Sequence, residues 1–221
     1  MARPPSATAP APSGPPEVAP DAPDVPDAPE RMLLAAVEAF AERGYHATTT
    51  RDIASRAGLS PAALYVHFPS KAALLARISL TGHEAALDLV QRASTAAGDA
   101  ASRLGGLVTA FASWHAEHHR VARVVQYEFG ALPADARQDV VALRRRIEQA
   151  VEDLIREGIA AGTMHTDQPR RVARALLSLC VDVARWYDPA GRDTPADLGA
   201  LYGELAVRMV SAPGAAGPDA L

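Results

Sequence analysis

Apolar residues recur at intervals of three or four along most of the chain, which is the spacing of an amphipathic α-helix. Between residues 30 and 43, Leu33, Val37 and Phe40 fall on one helical face, and Gly44 follows in the position that commonly ends a helix. No segment alternates apolar and polar residues with the period of two that is typical of a half-buried strand. The pattern predicts an all-α protein.

Three more helices are predicted in the N-terminal part. In the segment TTTRDIASRAG, a threonine is placed to cap a short helix, Asp52 lies in its first turn and Gly58 ends it. Ser60 and Pro61 then begin a third helix, because serine caps helix N-termini and proline is tolerated in the first turn. A fourth helix is expected from about residue 70 to residue 93.

The remainder of the chain contains five more helical patterns, separated by segments with glycine and proline. They cover about residues 102–118, 120–130, 134–160, 168–187 and 195–211. Asp167 and Thr194 precede the last two patterns and are expected to be their N-caps. Most of the predicted helical length therefore lies in the C-terminal part.

Composition divides the chain into two folded parts and two tails. Residues 1–29 hold ten of the 18 prolines, which block helices and strands, so this Pro/Ala-rich segment is expected to be a disordered tail. Residues 212–221 are expected to form a flexible tail. Between the tails, residues 30–77 hold the short helices, and residues 78–211 hold the longer ones.

Charge and cysteine content narrow the class of protein. The formal net charge is −4, but residues 30–77 carry six basic and four acidic side chains and are net positive. No stretch approaches the roughly 20 apolar residues that span a bilayer, and the N-terminus lacks the pattern of a secretory signal. The single cysteine, Cys180, excludes an intrachain disulfide and suits a reducing compartment. We expect a cytoplasmic protein with no membrane partner.

A helix, a glycine-containing turn and a second short helix are typical of a helix-turn-helix. Leu59, Leu64 and Phe68 are expected to hold the two helices together, so that the opposite face of residues 60–67 projects outwards. Such a face suits the major groove of DNA, because its hydroxyl and imidazole groups can reach phosphates or base edges. The motif also occurs as a plain packing corner, and the pattern alone leaves both interpretations open.

The segment AAVEAFAERGYHATTTRDIASRAGLSPAALYVHFPSKAALL carries a specific set of landmarks. They are Phe40, Gly44-Tyr45, Thr48-Thr49, Asp52-Ile53-Ala54, Ala57-Gly58, Ser60, Leu64-Tyr65, His67-Phe68 and Ser70-Lys71-Ala72-Ala73-Leu74. In this combination the segment closely resembles the N-terminal domain of the TetR family of transcriptional repressors, with Ala62 where the family usually has glycine.

The resemblance implies the architecture and the partner. It implies an N-terminal three-helix DNA-binding domain with a helix-turn-helix over residues 30–77, and a larger C-terminal helical domain over residues 78–211 that binds a ligand and dimerises. A homodimer would place two recognition helices in successive major grooves of a near-palindromic operator.

The resemblance also assigns residues to the DNA surface. They are Thr50, Arg51, Ser60, Ala62, Ala63, Tyr65, His67 and Lys71, of which Arg51, Ala62 and Ala63 are expected to face bases. Lys71 is the only lysine and stands in the first turn of a helix, where a cation opposes the macrodipole. We therefore expect Lys71 to bind a DNA phosphate, and Lys71→Ala to leave folding unharmed.

The C-terminal part carries the marks Arg185-Trp186-Tyr187, Pro189, Gly191 and Tyr202. With these marks it resembles, more weakly, a TetR subgroup that regulates fatty-acid or steroid breakdown and responds to acyl-CoA-type thioesters. The resemblance implies a hydrophobic small-molecule effector. Its pocket is predicted to be lined by Leu87, Phe111, Trp114, Val125, Phe129 and Ile147. Two alternatives stay open: a drug or antibiotic as effector, and a helical interaction module that no longer binds DNA.

No residue pattern indicates catalysis, a cofactor or a metal site. His115 and His119 have the i, i+4 spacing of metal ligands, but without nearby cysteine or recurring carboxylates the histidines are interpreted as capping and surface groups. The run Arg144-Arg145-Arg146 is interpreted as a solvated face, because consecutive helical residues point in different directions. No activated nucleophile can be assigned, so an enzyme is not expected.

Overall fold

A computed structural model of the chain describes residues 26–211, which contain nine α-helices, one short 3-10 helix and no strand. The α-helices are α1 (Ala28–Arg43), α2 (Thr50–Arg56), α3 (Pro61–His67), α4 (Lys71–Ser94), α5 (Ala100–Glu117), α6 (His119–Tyr127), α7 (Ala134–Ala160), α8 (Pro169–Trp186) and α9 (Pro195–Val210). The 3-10 helix spans Phe129–Ala131, between α6 and α7. The predicted all-α fold is confirmed.

Short polar side chains fix where the N-terminal helices begin. The Thr49 hydroxyl accepts a hydrogen bond from the amide of Asp52 at 3.2 Å, and the Asp52 carboxylate accepts one from the amide of Thr49 at 2.9 Å. Ser60 and Ser70 cap α3 and α4 in the same way, each hydroxyl accepting from the amide three residues later at 3.1 Å. These groups satisfy amides that an isolated helix end would leave without partners.

The start of α1 differs from the prediction. The Asp27 carboxylate caps the helix by accepting from the Glu30 amide at 2.9 Å, and α1 already begins at Ala28. The predicted tail therefore reaches too far, because a proline in the first turn is compatible with a helix. The rest of that tail, and the predicted tail over residues 212–221, lie outside the described residues.

The cap predicted at Asp167 is also wrong. Pro169 opens α8, so the cap position falls on Gln168, whose side chain makes no capping bond. The cap predicted at Thr194 is confirmed, with Asp197 completing the reciprocal pair.

The two parts of the chain share α4 and are packed against each other. Leu74 and Leu75, in the first half of α4, belong to the apolar core that α1, α2 and α3 enclose, together with Val124 and Val140 of the later helices. Leu87, in its second half, belongs to the core of the C-terminal part. A displacement of α4 would therefore be felt in both cores.

The C-terminal part is built around α5, which packs against α4, α7, α8 and α9. Leu104 and Leu107 of α5 are fully buried in a core that also contains Cys180. Burial raises the pKa of the Cys180 thiol to about 12. Its interpretation as a small core residue is confirmed.

Glycines allow α9 to lie unusually close to α5. A Cβ atom at Gly199 would stand 2.6 Å from the carbonyl oxygen of Thr109 and would overlap the hydroxyl of Ser113. A Cβ atom at Gly203 would stand 2.8 Å from the carbonyl oxygen of Gly105. Because backbone atoms block both positions, the two helices could accept side chains there only by moving apart.

Gly199→Ala is therefore expected to lower the free energy of unfolding by about 1–3 kcal/mol, the usual cost of overpacking a core. Gly106→Ala is the matched control, because a Cβ atom there meets nothing within 4 Å. In a helix interior this control substitution is expected to stabilise by about 0.5–1 kcal/mol. Urea unfolding of both variants measures the difference, and a Gly199→Ala protein as stable as the Gly106→Ala protein would contradict the close packing.

In the part of the chain that the structure describes, no helix combines the length and the apolar character needed to cross a membrane.

Candidate DNA-binding surface and ligand cavity

The segment from α2 to α3 forms the predicted helix-turn-helix. The turn contains Gly58, whose φ of +69° is accessible to glycine at little cost. The amide of Leu59 donates to the carbonyl oxygen of Ala54 at 2.9 Å, and Leu64, on the inner face of α3, is fully buried. The opposite face of α3 is therefore held rigidly towards solvent.

Hydroxyl, imidazole and guanidinium groups occupy this exposed face. The Thr50 and Tyr65 hydroxyl oxygens lie 3.0 Å apart and link the start of α2 to the middle of α3. Tyr65, His67 and Arg51 are exposed, as are the small residues Ser60 and Ala62. Ala63 is partly buried against the N-terminal core, so it does not stand fully on the face on which the sequence placed it.

The arginines near this face differ in how freely they can move. Arg56 is held by Glu38 at 3.1 Å and by Glu42, and Arg43 lies 3.8 Å from Asp52. Arg51 is exposed and makes no ion pair among residues 26–211. An arginine without an acidic partner can reach a phosphate or a base without first breaking an ion pair.

The expected role of Lys71 does not fit its contacts. Its ammonium group donates to the carbonyl oxygens of Tyr45 at 2.6 Å, Thr48 at 2.7 Å and His46 at 3.5 Å, and lies 4.2 Å from the centre of the Tyr45 ring. The three protons are therefore directed at the turn between α1 and α2 rather than at solvent. Lys71 therefore ties α4 to this turn, which the sequence did not indicate, and its contact with a DNA phosphate stays a prediction.

A cavity of about 440 Å³ lies among α4, α5, α6, α7 and α8. Its apolar lining consists of Ala86, Phe111, Trp114, Val121, Ala122, Val125, Ile147, Leu177 and Val181. Its polar lining consists of His83, His115, Gln126, Arg144, Glu148, Arg174 and Ser178. The volume is within the range of small-molecule sites, which are mostly apolar with a few polar groups.

The structure brings together four of the six predicted pocket residues. Phe111, Trp114, Val125 and Ile147 line the cavity. Leu87 does not, because it is buried in the apolar core of the C-terminal part instead. Phe129 does not line it either, since its ring lies behind the guanidinium of Arg144, 4.6 Å from the ring centre.

The opening of the cavity is positively charged. The exposed lining residues Arg144, Arg174 and Ser178 all belong to α7 and α8, which places the opening on that side. Glu148 accepts hydrogen bonds from Arg174 at 2.9 Å and from Arg170 at 3.1 Å, so two arginines hold one carboxylate beside the opening. The interpretation of Arg144 as a solvated surface group is wrong in part, because its side chain borders the cavity and partial burial lowers its pKa.

Two histidines border the cavity from inside. The Nε2 atom of His83 accepts from the Nε group of Arg144 at 2.9 Å, and its Nδ1 atom lies 2.7 Å from the carbonyl oxygen of Ser79. Burial and the charge of Arg144 lower the pKa of His83. His115 is only 5 % exposed, and burial lowers its pKa from 6.5 to about 4.

His115 therefore corrects the interpretation of the histidine cluster. His118 is exposed and stacks on Trp114, as expected of a surface group, whereas His115 turns inwards. The spacing of His115 from Phe111, one helical turn earlier, is the signal that would have placed it on the inner face. No group of three or more potential metal ligands occurs in residues 26–211.

A connection runs from the cavity to the N-terminal turn. Glu128 precedes Phe129, and its carboxylate accepts a hydrogen bond from the amide of Tyr45 at 3.0 Å. Tyr45 is in turn held through its carbonyl oxygen by Lys71. Arg144, which borders the cavity, is therefore connected to the turn that precedes α2 through two contacts. The first joins Arg144 to Phe129, and the second joins Glu128 to Tyr45.

Helices α8 and α9 carry an exposed apolar face. Its side chains, each between 40 and 49 % exposed, are Leu179, Trp186, Leu201, Leu205 and Met209. On α9 the three residues are spaced by four positions, so they form one stripe on the side away from the glycines that contact α5.

Comparison with known proteins identifies both parts of the chain. The family described as bacterial regulatory proteins, tetR family, matches residues 32–78, and the tetracyclin repressor-like C-terminal domain matches residues 97–210. The transcriptional repressor KstR2 of Mycolicibacterium smegmatis is 32% identical over 177 residues, which cover 78% of this chain and 85% of KstR2.

Solved structures show the same architecture. A tetR family regulatory protein from Rhodococcus RHA1 matches with a TM-score of 0.79 at 38% identity, over 86% of this chain and 100% of its own. FadR from Bacillus subtilis, solved in complex with stearoyl-CoA, shares the fold with a TM-score of 0.66 at 21% identity, over 80% of this chain and 96% of its own. The family models, the relatives and the helix-turn-helix agree, and the chain belongs to the TetR family of transcriptional regulators.

Proposed function

We propose that the protein is a homodimeric repressor in the cytoplasm that binds operator DNA through α2 and α3 and leaves it when a hydrophobic thioester enters the cavity. The observation that carries this proposal is the apolar cavity beside α4, the helix that contributes to both cores. A ligand that changes the position of α4 changes the spacing of the two recognition helices, and with it the fit to DNA.

The exposed face of the helix-turn-helix supports the DNA contacts. Arg51 is the best candidate for a base contact, since arginine pairs with guanine in the major groove and this one has no ion pair among the described residues. Thr50, Tyr65 and His67 would anchor phosphates, and Ser60 and Ala62 would permit close approach. Ala63 and Lys71 would act indirectly, by supporting the face from behind.

The exposed apolar face of α8 and α9 supports the homodimer. A contiguous exposed apolar face is typical of a protein interface. A two-fold axis through this face would pair α8 and α9 with the same helices of the partner and form a four-helix bundle.

The cavity supports a ligand with one hydrophobic and one anionic end. The buried lining is apolar, whereas Arg144 and Arg174 border the opening and Arg170 joins Arg174 at Glu148. An acyl-CoA or steroid-CoA thioester has this polarity, because its phosphates would meet the arginines while its acyl group fills the apolar part. The stearoyl-CoA bound to FadR supports the same class.

We expect the signal to leave the cavity by two routes. One is displacement of α4 itself, on which His83 and Ala86 border the cavity. The other passes from Arg144 to Phe129 and from Glu128 to the amide of Tyr45.

The proposal is tested by a mobility shift with DNA from upstream of the protein's own gene. We expect DNA binding whose log affinity falls linearly with the logarithm of the salt concentration. We also expect micromolar long-chain or steroid CoA thioesters to release the DNA. Arg51→Ala should weaken binding by about 1–3 kcal/mol and relax the preference for one base pair of the operator, whereas the exposed Arg123→Ala, on α6, should do neither. Absent or salt-insensitive binding to every operator-like sequence would contradict the proposal.

A further inference from the structure

The cavity contains a hydrogen-bond acceptor that the protein leaves without a partner. The ring of His115 is walled by Phe111 and Trp114, with ring centres 4.4 and 5.0 Å away. Its Nδ1 atom lies 2.8 Å from the carbonyl oxygen of Phe111. A carbonyl oxygen can only accept, so Nδ1 carries the proton.

The charge state of His115 fixes the role of its other nitrogen. Burial holds the pKa of His115 near 4. The ring is therefore neutral at physiological pH, and Nε2 presents a lone pair.

His83 shows what a satisfied histidine in this cavity looks like. Its Nδ1 atom is bonded to a backbone carbonyl as in His115, and its Nε2 atom accepts from Arg144 at 2.9 Å. Within residues 26–211, the side chain of His115 makes one hydrogen bond, through Nδ1, and no protein donor takes the corresponding position at Nε2. Because His115 borders the cavity, a donor must come from the contents of the cavity.

We infer that the effector carries a hydroxyl group in its hydrophobic part, which donates a hydrogen bond to Nε2 of His115. This inference rests on the proposed function and specifies its ligand further: the cavity selects hydroxylated thioesters over plain hydrocarbon thioesters. A saturated chain would displace water from Nε2 and leave a buried acceptor unpaired, which weakens binding by roughly tenfold.

The test compares thioesters that differ by one hydroxyl group. Lauroyl-CoA is titrated calorimetrically into the full-length protein, beside analogues with the hydroxyl on the β carbon, in mid-chain or on the ω carbon. At least one analogue is expected to bind roughly tenfold more tightly than lauroyl-CoA. Equal affinity for all four ligands would overturn the inference but leave the proposed function intact, whereas failure of all four to bind would contradict both.

Two variants assign the preference to His115. His115→Phe keeps an aromatic ring without the acceptor and is expected to abolish the preference for the hydroxylated analogue. His118→Phe is the matched control, because His118 makes the same Nδ1 contact one turn back, 2.9 Å from the carbonyl oxygen of Trp114, but is exposed and does not border the cavity. If His115→Phe does not fold, nitrogen NMR of the wild-type imidazoles replaces it: only the hydroxylated ligand should move the Nε2 resonance of His115 upfield, and an unmoved resonance overturns the inference.

Discussion

Leu205→Glu is expected to separate the dimer and to reduce operator affinity at least about 100-fold. Leu205 is 40 % exposed and lies between Leu201 and Met209 on the apolar stripe of α9. In a two-fold interface each residue occurs twice near the axis, so one substitution introduces two carboxylates. Burying an ion without a partner costs several kcal/mol, and 2.7 kcal/mol already corresponds to about a factor of 100. A single recognition helix then has to bind one half-site alone.

Sedimentation measures whether the protein is a dimer or a monomer, and a mobility shift measures the loss of DNA binding. Leu34→Glu is the matched control for both folding and association, because Leu34 is 54 % exposed on α1, outside the stripe. The control should remain dimeric. A Leu205→Glu protein that sediments as the wild type and binds operator equally well would place the dimer interface elsewhere.

The N-terminal helices could be predicted closely because their signals are local. Thr49 and Asp52 form a capping pair three residues apart, and Ser60 precedes a proline that only a first turn accepts. Gly58 marks the turn by its own backbone conformation. Neighbouring residues decide each of these features, so they are visible in the sequence without knowledge of the tertiary fold.

The cavity could be predicted only in part because it depends on which helices meet. Phe111 and Leu87 have the same apolar character and the same helical spacing, yet Phe111 borders the cavity and Leu87 fills a core. Without nearby cysteine or recurring carboxylates, the sequence indicates a capping or surface role for His115. The burial of His115 depends on where α4, α6 and α8 pack, and the sequence of α5 alone does not determine this.

The contacts of Lys71 with the turn between α1 and α2 could not be predicted for a similar reason. Within α4 alone, a cation in the first turn is unfavourable because it opposes the helix macrodipole. The turn between α1 and α2 supplies three carbonyl oxygens within 3.5 Å, and their partial charges stabilise the ammonium more than the helix destabilises it. The residues that contribute them lie 23 to 26 positions away in the sequence, outside the reach of a local pattern.

Lys71→Met is therefore expected to lower the free energy of unfolding by about 2–4 kcal/mol, since hydrogen bonds from a charged donor contribute about 1.5–3 kcal/mol each and are only partly additive. DNA affinity should fall as well, because the loosened turn carries Thr48 immediately before the cap of α2. Arg77→Met is the matched control: it removes one positive charge from an exposed position on α4 that makes no ion pair among the described residues, and should change stability by less than about 0.5 kcal/mol.

Urea unfolding and the salt dependence of operator binding separate the two roles of Lys71. If Lys71 fixes the turn, its replacement lowers the stability of the protein, while the slope of log affinity against log salt stays as in the wild type. If Lys71 binds phosphate, its replacement leaves the stability of the protein unchanged and makes that slope shallower by about one unit. We expect the first result, because the carbonyl oxygens of Tyr45 and Thr48 already hold the ammonium at 2.6 and 2.7 Å. The second result would mean that DNA displaces those carbonyl oxygens, and would restore the phosphate contact implied by the resemblance to the family.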